Sequence, residues 1–263
     1  MRALPLVYLL LAPLLVVAQS DWKKIATVPI GKAHFVSDNI GQLYSVQGDM
    51  LKRYNNEGQL QYNYNNKTFG NITFVDPTNP LRVVVFYQEL SQVVFLDNTL
   101  SEHGTPISLT ELGYDQTTVL CASQNNGLWL FDQVDFELIW LNDNAEVQKE
   151  SGNLIQQLGY ELDPNFMIER HNWLYLNDPD RGILVFDIFG TYFKTIPLKG
   201  LGSFQVTETH LLYMEEGVLK AFDFKLLDAM DVPLPEVPAS EVQVQGPTVF
   251  MRELGEVQVY RHK

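Results

Sequence analysis

The chain has 263 residues, 46% of them hydrophobic, one cysteine and a formal net charge of −14. That charge argues against nucleic acid, whose phosphates would be repelled, and disfavours anionic lipid surfaces. The lone Cys121 excludes an intramolecular disulfide, so packing alone must hold the fold, and in Val119-Leu120-Cys121-Ala122 it reads as a small buried apolar residue.

Met1-Arg2-Ala3-Leu4-Pro5 leads into an apolar run from Leu6 to Val17 and then Ala18-Gln19. A charged start, a short apolar core and a small residue at the cut read as a secretory signal peptide over residues 1–18. Residues 19–263 are then one domain, periplasmic or secreted. The run is shorter than the roughly 20 residues a bilayer span needs, and no cysteine follows the cut to carry a lipid, so no direct membrane insertion is expected.

An apolar stretch ending in an aromatic or Leu followed by Asn, Asp or once Arg then recurs six times, at Tyr54-Asn55, Leu96-Asp97, Leu141-Asn142, Phe186-Asp187, Phe222-Asp223 and Tyr260-Arg261. The intervals of 42, 45, 45, 36 and 38 residues match a four-stranded propeller blade. Within units, short β-branched and aromatic strands alternate with Gly, Asn, Asp and Pro. The third unit reads as strands over 117–122, 127–131, 137–141 and 145–149, the fourth over 165–169, 173–176, 183–187 and 192–198. Arg82-Val83-Val84-Val85-Phe86 and Leu128-Trp129-Leu130-Phe131 are apolar without alternation, as strands covered on both faces are. The innermost strands are read at 34–36, 72–75, 118–121, 166–169, 204–207 and 242–245. The last unit has room for three strands, over 242–245, 248–252 and 256–260. Ala26-Thr27-Val28-Pro29-Ile30 resembles the outer segments Lys194-Thr195-Ile196-Pro197-Leu198 and Met230-Asp231-Val232-Pro233-Leu234. An all-β, six-bladed β-propeller follows, its ring closed by residues 23–30 completing the last blade.

Over 21–263 this pattern resembles the six-bladed propellers of the NHL and YWTD kind, in architecture rather than motif. The Ala-Gln-Ser end of the signal peptide is similar to those of exported Bacteroidota proteins, where small propellers include accessory subunits such as the plug of the type 9 secretion translocon. That resemblance implies a partner in the envelope, an outer-membrane complex.

Catalytic signatures are few. His-Glu-x-x-His and Gly-x-Ser-x-Gly are absent, and Gly200-x-Gly202 lacks a third glycine. His34, His103, His171, His210 and His262 fall in different units. Asn177-Asp178-Pro179-Asp180-Arg181-Gly182 superficially resembles a calcium loop but reads as turn chemistry. Glu169 is the lone carboxylate on the innermost strands as read here. No catalytic residue, metal or cofactor is therefore expected, and the chain reads as a non-catalytic binder. Two alternatives stay open, a glycan or small-ligand receptor and a metal-dependent hydrolase or lactonase using the central channel. Trp22, Trp129, Trp140 and Trp173 read as core or inter-blade packing rather than a sugar platform.

Turns between second and third strands share one face with the crossings between blades. Acids fall at these positions: Asp49, Glu89, Asp132 with Asp135, Asp178 with Asp180, Glu215 with Glu216, and Glu253, with Asp115 and Glu161 in the crossings. Leu112-Gly113-Tyr114-Asp115 and Leu158-Gly159-Tyr160-Glu161 add two tyrosines that either fill gaps between blades or anchor a partner. The expectation is an acidic rim that docks a neutral or basic protein patch.

Overall fold

The computed structural model describes residues 21–124 and 126–263, and the expected signal peptide lies outside them. After β1 (Trp22–Pro29) come β2 (His34–Ser37), β3 (Leu43–Gln47), β4 (Met50–Tyr54) and β5 (Leu60–Asn65) of the first blade. The second holds β6 (Phe74–Asp76), β7 (Val83–Tyr87), β8 (Gln92–Leu96) and β9 (Ile107–Ser108). The third holds β10 (Thr117–Ala122), β11 (Leu128–Asp132), β12 (Glu137–Leu141) and β13 (Val147–Glu150), and a short helix α1 (Leu154–Leu158) follows. The fourth is β14 (Phe166–Arg170), β15 (Trp173–Asp178), β16 (Gly182–Asp187) and β17 (Tyr192–Ile196). The fifth is β18 (Gln205–Val206), β19 (His210–Glu215), β20 (Val218–Asp223) and β21 (Ala229–Asp231). The sixth is β22 (Glu241–Gln245), β23 (Thr248–Glu253) and β24 (Glu256–His262), with β1 as its outer strand.

The ring closes as the sequence predicts. β1 pairs antiparallel with β24 from Trp22↔His262 to Pro29↔Glu256, with a bulge between Lys24 and Ala26. Pro29 ends this outer strand, where one row of amides needs no partner. The side chain of Arg252 fastens the same corner by donating to the Gly31 carbonyl at 3.2 Å while it pairs with Glu241 at 3.6 Å.

The repeated Asn or Asp has one physical job. Each sits where the third strand turns into the fourth, and its side-chain oxygen caps the turn. Asn55 Oδ1 accepts from the amides of Glu57 and Gln59, and Asp97 Oδ1 from those of Thr99 and Ser101. Asn142 serves Asn144 and Glu146, Asp187 serves Phe189 and Thr191, and Asp223 serves Lys225 and Leu226. This is the Asx turn. The sixth unit carries Arg261 instead because no turn follows it: its fourth strand comes from the other end of the chain.

Each junction between adjacent blades holds its own apolar cluster. Val83, Val85 and Tyr87 pack toward the first blade, whereas Val84 and Phe86 pack toward the third. Both faces of β7 are thus covered, which explains its unbroken apolar run. β11 behaves alike, with Trp129 and Phe131 against the fourth blade and Leu128 and Leu130 against the second. Full burial of such side chains stabilises by about 1.5–3 kcal/mol each before entropy is counted.

Around the central channel, polar side chains of inner strands cross to the neighbouring blade. Asp76 Oδ2 accepts from the Ala122 amide at 3.0 Å. Glu169 accepts from the Gln124 amide at 3.2 Å and from Trp129 Nε1 at 2.8 Å. Gln205 Oε1 accepts from the Val244 amide at 2.8 Å, and Gln243 Oε1 from the Ser37 amide at 2.7 Å. Two inner strands correct the sequence reading: β6 starts two residues and ends one residue later than expected, at Asp76, and β22 starts one residue earlier, at Glu241, so Glu169 is not the lone carboxylate on the inner strands. Cys121 is fully buried, and burial first, then Asp76 and Glu169, pushes its thiol well up. Two outer segments are shorter than read, since β17 stops at Ile196 before Pro197 and β21 at Asp231 before Pro233. Among the described residues no helix is long and apolar enough to cross a membrane.

Candidate functional site

Turns from second to third strands and crossings between blades do share one face. The Ile72 amide donates to the Gly48 carbonyl, Ser91 Oγ to the Asp115 carbonyl and the Gly200 amide to the Pro179 carbonyl. On this face lies the mouth of the central channel, where the inner strands begin. Phe74, Phe166 and Phe204 each stand at or just before the start of such a strand. Their rings meet across the mouth, Phe74 to Phe166 at 6.4 Å and Phe166 to Phe204 at 5.0 Å, both edge-on. Phe204 is buried while Phe74 and Phe166 are half-buried. Sequence reasoning missed this aromatic hub, because an aromatic at a strand start reads as core until the ring brings three of them together. The signal was their common register at the head of the inner strands.

The acids surround the hub unevenly. Glu89, Asp115, Glu161, Asp180 and Glu215 are exposed, and Asp49 and Glu253 are half-buried. Glu215 pairs with Lys220 at 2.9 Å, and Glu253 accepts from Gln258. Two expected rim residues point inward. Asp132 is 2% exposed and accepts from the amides of Val134 and Asp135. Asp178, also 2% exposed, accepts from the amides of Asp180 and Arg181 at 2.9 and 3.0 Å and from Asp163 at 3.0 Å. An Asp opening a tight turn bonds the amides two and three residues on, which the sequence Asp178-Pro179-Asp180-Arg181-Gly182 announces. Gly182, at φ +105, closes that turn; a Cβ there would lie 2.5 Å from the Ile196 carbonyl oxygen.

Four acids of the third blade, Asp132, Asp135, Glu137 and Glu150, lie close enough to act on one another. Burial first, then Glu150, Asp135 and Asp132, holds the Glu137 carboxyl above its ordinary value. Tyr114 stands among the same groups: burial, then Glu150, Glu137, Asp132 and Asp135, raises its hydroxyl. None of these acids makes an ion pair among the described residues. Glu137 and Glu150 lie at strand ends rather than in loops, which is why turn chemistry did not single them out.

The two tyrosines fill gaps between blades. Tyr114 packs against the cluster joining the second and third blades, and Tyr160 against the one joining the third and fourth, with Arg181 over its ring at 4.5 Å. Each Leu-Gly pair stops a turn: Gly159, at φ 82, ends α1, and the Gly113 amide returns to the Thr110 carbonyl. Among the described residues no three His, Cys, Asp or Glu side chains converge as a metal site would require.

No family model matches the chain, and no curated protein matches it. Solved structures do. The Pan2 WD40 domain of Neurospora crassa is 11% identical, covering 92% of this chain and 95% of its own, with a TM-score of 0.63. Virginiamycin B lyase of Staphylococcus aureus, solved as a catalytically inactive variant with quinupristin, is 11% identical over 91% and 98%, with a TM-score of 0.57. BBS1N in complex with ARL6DN is 13% identical over 89% and 78%, with a TM-score of 0.55. The chain is a six-bladed β-propeller. The expectation of a protein without catalysis needs correction, since a lyase shares the ring: this fold and a lack of familiar motifs do not exclude an enzyme. The likeness to NHL and YWTD propellers stays one of architecture.

Proposed function

We propose that this protein is an exported propeller that docks another envelope protein on the face carrying the aromatic hub, as an accessory or plug subunit of an outer-membrane secretion complex. The observation that carries the reading is the pairing of Phe74 and Phe166, half-buried at the channel mouth, with the acids around them. An apolar aromatic centre ringed by charge is the anatomy of a protein interface. The unpaired acids of the third blade favour a neutral or basic partner patch, since bringing in opposite charge relieves the repulsion that Glu137 feels. Export rests on the signal-peptide pattern of residues 1–18, and the secretion role on the resemblance of that leader to Bacteroidota ones. A propeller of the same shape, BBS1N, was solved in complex with a partner protein.

The test is capture from detergent-solubilised envelope with two variants beside the parent. Reversal of Asp115, Asp135, Glu150 and Glu161 to Lys should slow association and remove its dependence on salt. Phe166→Ala should instead speed dissociation. A complex that forms equally well with both variants would rule this face out.

A further inference from the structure

On the opposite face, a groove of about 470 Å³ opens between the outer parts of the fourth and fifth blades. We infer that it is a binding site for a neutral saccharide ring. The inference is independent of the docking face, since the groove is bordered by turns from first to second strands, the other side of the ring.

Its walls are aromatic. Trp173 on β15 and Phe193 on β17 lie 4.9 Å apart, and Tyr175 stacks on Phe224 at 6.2 Å with 21° between the rings. Phe193 is 59% exposed, although Tyr192 beside it packs inward against Phe186. A flat, largely apolar surface held open at the rim suits a ligand with one apolar face. The size agrees, since sites for small ligands run from about 300 to 1,000 Å³.

The polar groups decide the class. Tyr175 lines the groove, its ring is buried, and its hydroxyl, which makes no hydrogen bond to another described residue, is not among the fully buried polar atoms and so meets the groove's solvent. A hydroxyl at the edge of a groove, uncommitted to the protein, is free to exchange its water for a ligand group. Burial pushes its pKa up to about 12, so it is protonated at neutral pH and can both donate and accept. Lys194 and Glu208 supply one donor and one acceptor whose charges cancel. Hydroxyls on a ring match that set in both senses. A free carboxylate or phosphate would face the acidic chain, at −14 overall, with a single lysine to meet it.

Titration calorimetry on the purified protein with cellohexaose, xylohexaose and N-acetylchitohexaose tests this, beside oligogalacturonate and a tyrosine-containing hexapeptide. At least one neutral sugar should bind with tryptophan fluorescence quenched, and Trp173→Phe should remove the quench. Tyr175→Phe should weaken binding about tenfold, the loss of one hydrogen bond, and leave the melting temperature unchanged or higher. Phe193→Ala, on the exposed rim, should abolish binding in a protein that melts normally. Preference for oligogalacturonate or the peptide, sugar binding indifferent to both Tyr175→Phe and Phe193→Ala, or no binding of any neutral sugar at about 10 mM would overturn the assignment.

Discussion

The indole Nε1 of Trp129, in the middle of the third blade, donates a 2.8 Å hydrogen bond to Oε2 of Glu169 on the inner strand of the fourth. The other carboxylate oxygen takes the Gln124 amide, so one acid fastens two points of a neighbouring sheet. Glu169→Ala leaves the buried Trp129 indole without a partner, while the amide of the exposed Gln124 can turn to water, and should cost about 2–4 kcal/mol. For a chain of this length that lowers the melting temperature by roughly 5–15 °C. Glu169→Gln, which keeps one acceptor, should lose about half as much. Equal stability of all three proteins by urea titration would show the contact to be idle.

Closure by the first strand makes a second prediction. Val28 is fully buried in the cluster that joins the sixth blade to the first. Val28→Asp puts an unpaired carboxylate there and should cost more than about 3 kcal/mol. Thr27→Asp, one residue away and exposed, should shift stability by less than about 0.5 kcal/mol. Similar melting curves for the two variants would show that the strand does not seal the ring.

Asp178 and Asp180 separate a structural acid from a surface one. Asp178 holds three backbone amides and ties the turn to the preceding crossing, so Asp178→Ala should cost about 2–3 kcal/mol. Asp180→Ala should lie within about 0.5 kcal/mol of the parent. Thermal melts that rank the two alike would remove the distinction drawn within the acidic face.

The third blade should show a pH signature. Glu137 is held above its ordinary value of 4.5, first by burial and then by Glu150, Asp135 and Asp132. The fold therefore favours its protonated form, and that contribution is full below the ordinary value and lost as pH rises through the raised one. Glu137→Gln should raise the melting temperature at about pH 7.5 and change it little at about pH 4. Asp97 runs the other way: bonds from Ser101 and Thr99 lower it, so its contribution is present above 3.8 and lost as pH falls through the lowered value. A Glu137→Gln variant that melts lower than the parent at neutral pH would contradict the sign.

Much of the ring was legible because a blade imposes several signals at once. An Asn or Asp recurs where an Asx turn is needed, and an unbroken apolar run marks a strand with a neighbour on each face. The missing strand at one end of the chain is matched by a spare one at the other. The face was harder. Asp132 and Asp178 look like Asp115 and Glu161 in composition, and only the amides within their reach turn them inward. Phe74, Phe166 and Phe204 are 92 and 38 residues apart in sequence, so nothing local brings them together. Trp173 reads like the other tryptophans, whereas Trp129 and Trp140 are buried and Trp173 lines an open groove. Local pattern reports what a residue does to its own strand; convergence depends on how the sheets are arranged around the axis.

The pairing of Trp22 with His262 also fixes a timetable. A chain emerging from its amino end carries Val28 and Ile30 for the whole length of synthesis before the strand that covers them exists. Five sheets can form in order, but the circle stays a horseshoe with two greasy ends until the final 23 residues, from 241 to 263, arrive. Contacts that span so much chain form slowly and leave apolar surface open meanwhile. A copy lacking that clasp therefore leaves the apolar flanks of the first and fifth sheets, Phe35 and Leu43 on one side and Leu219 and Ala221 on the other, open to whatever binds greasy surface.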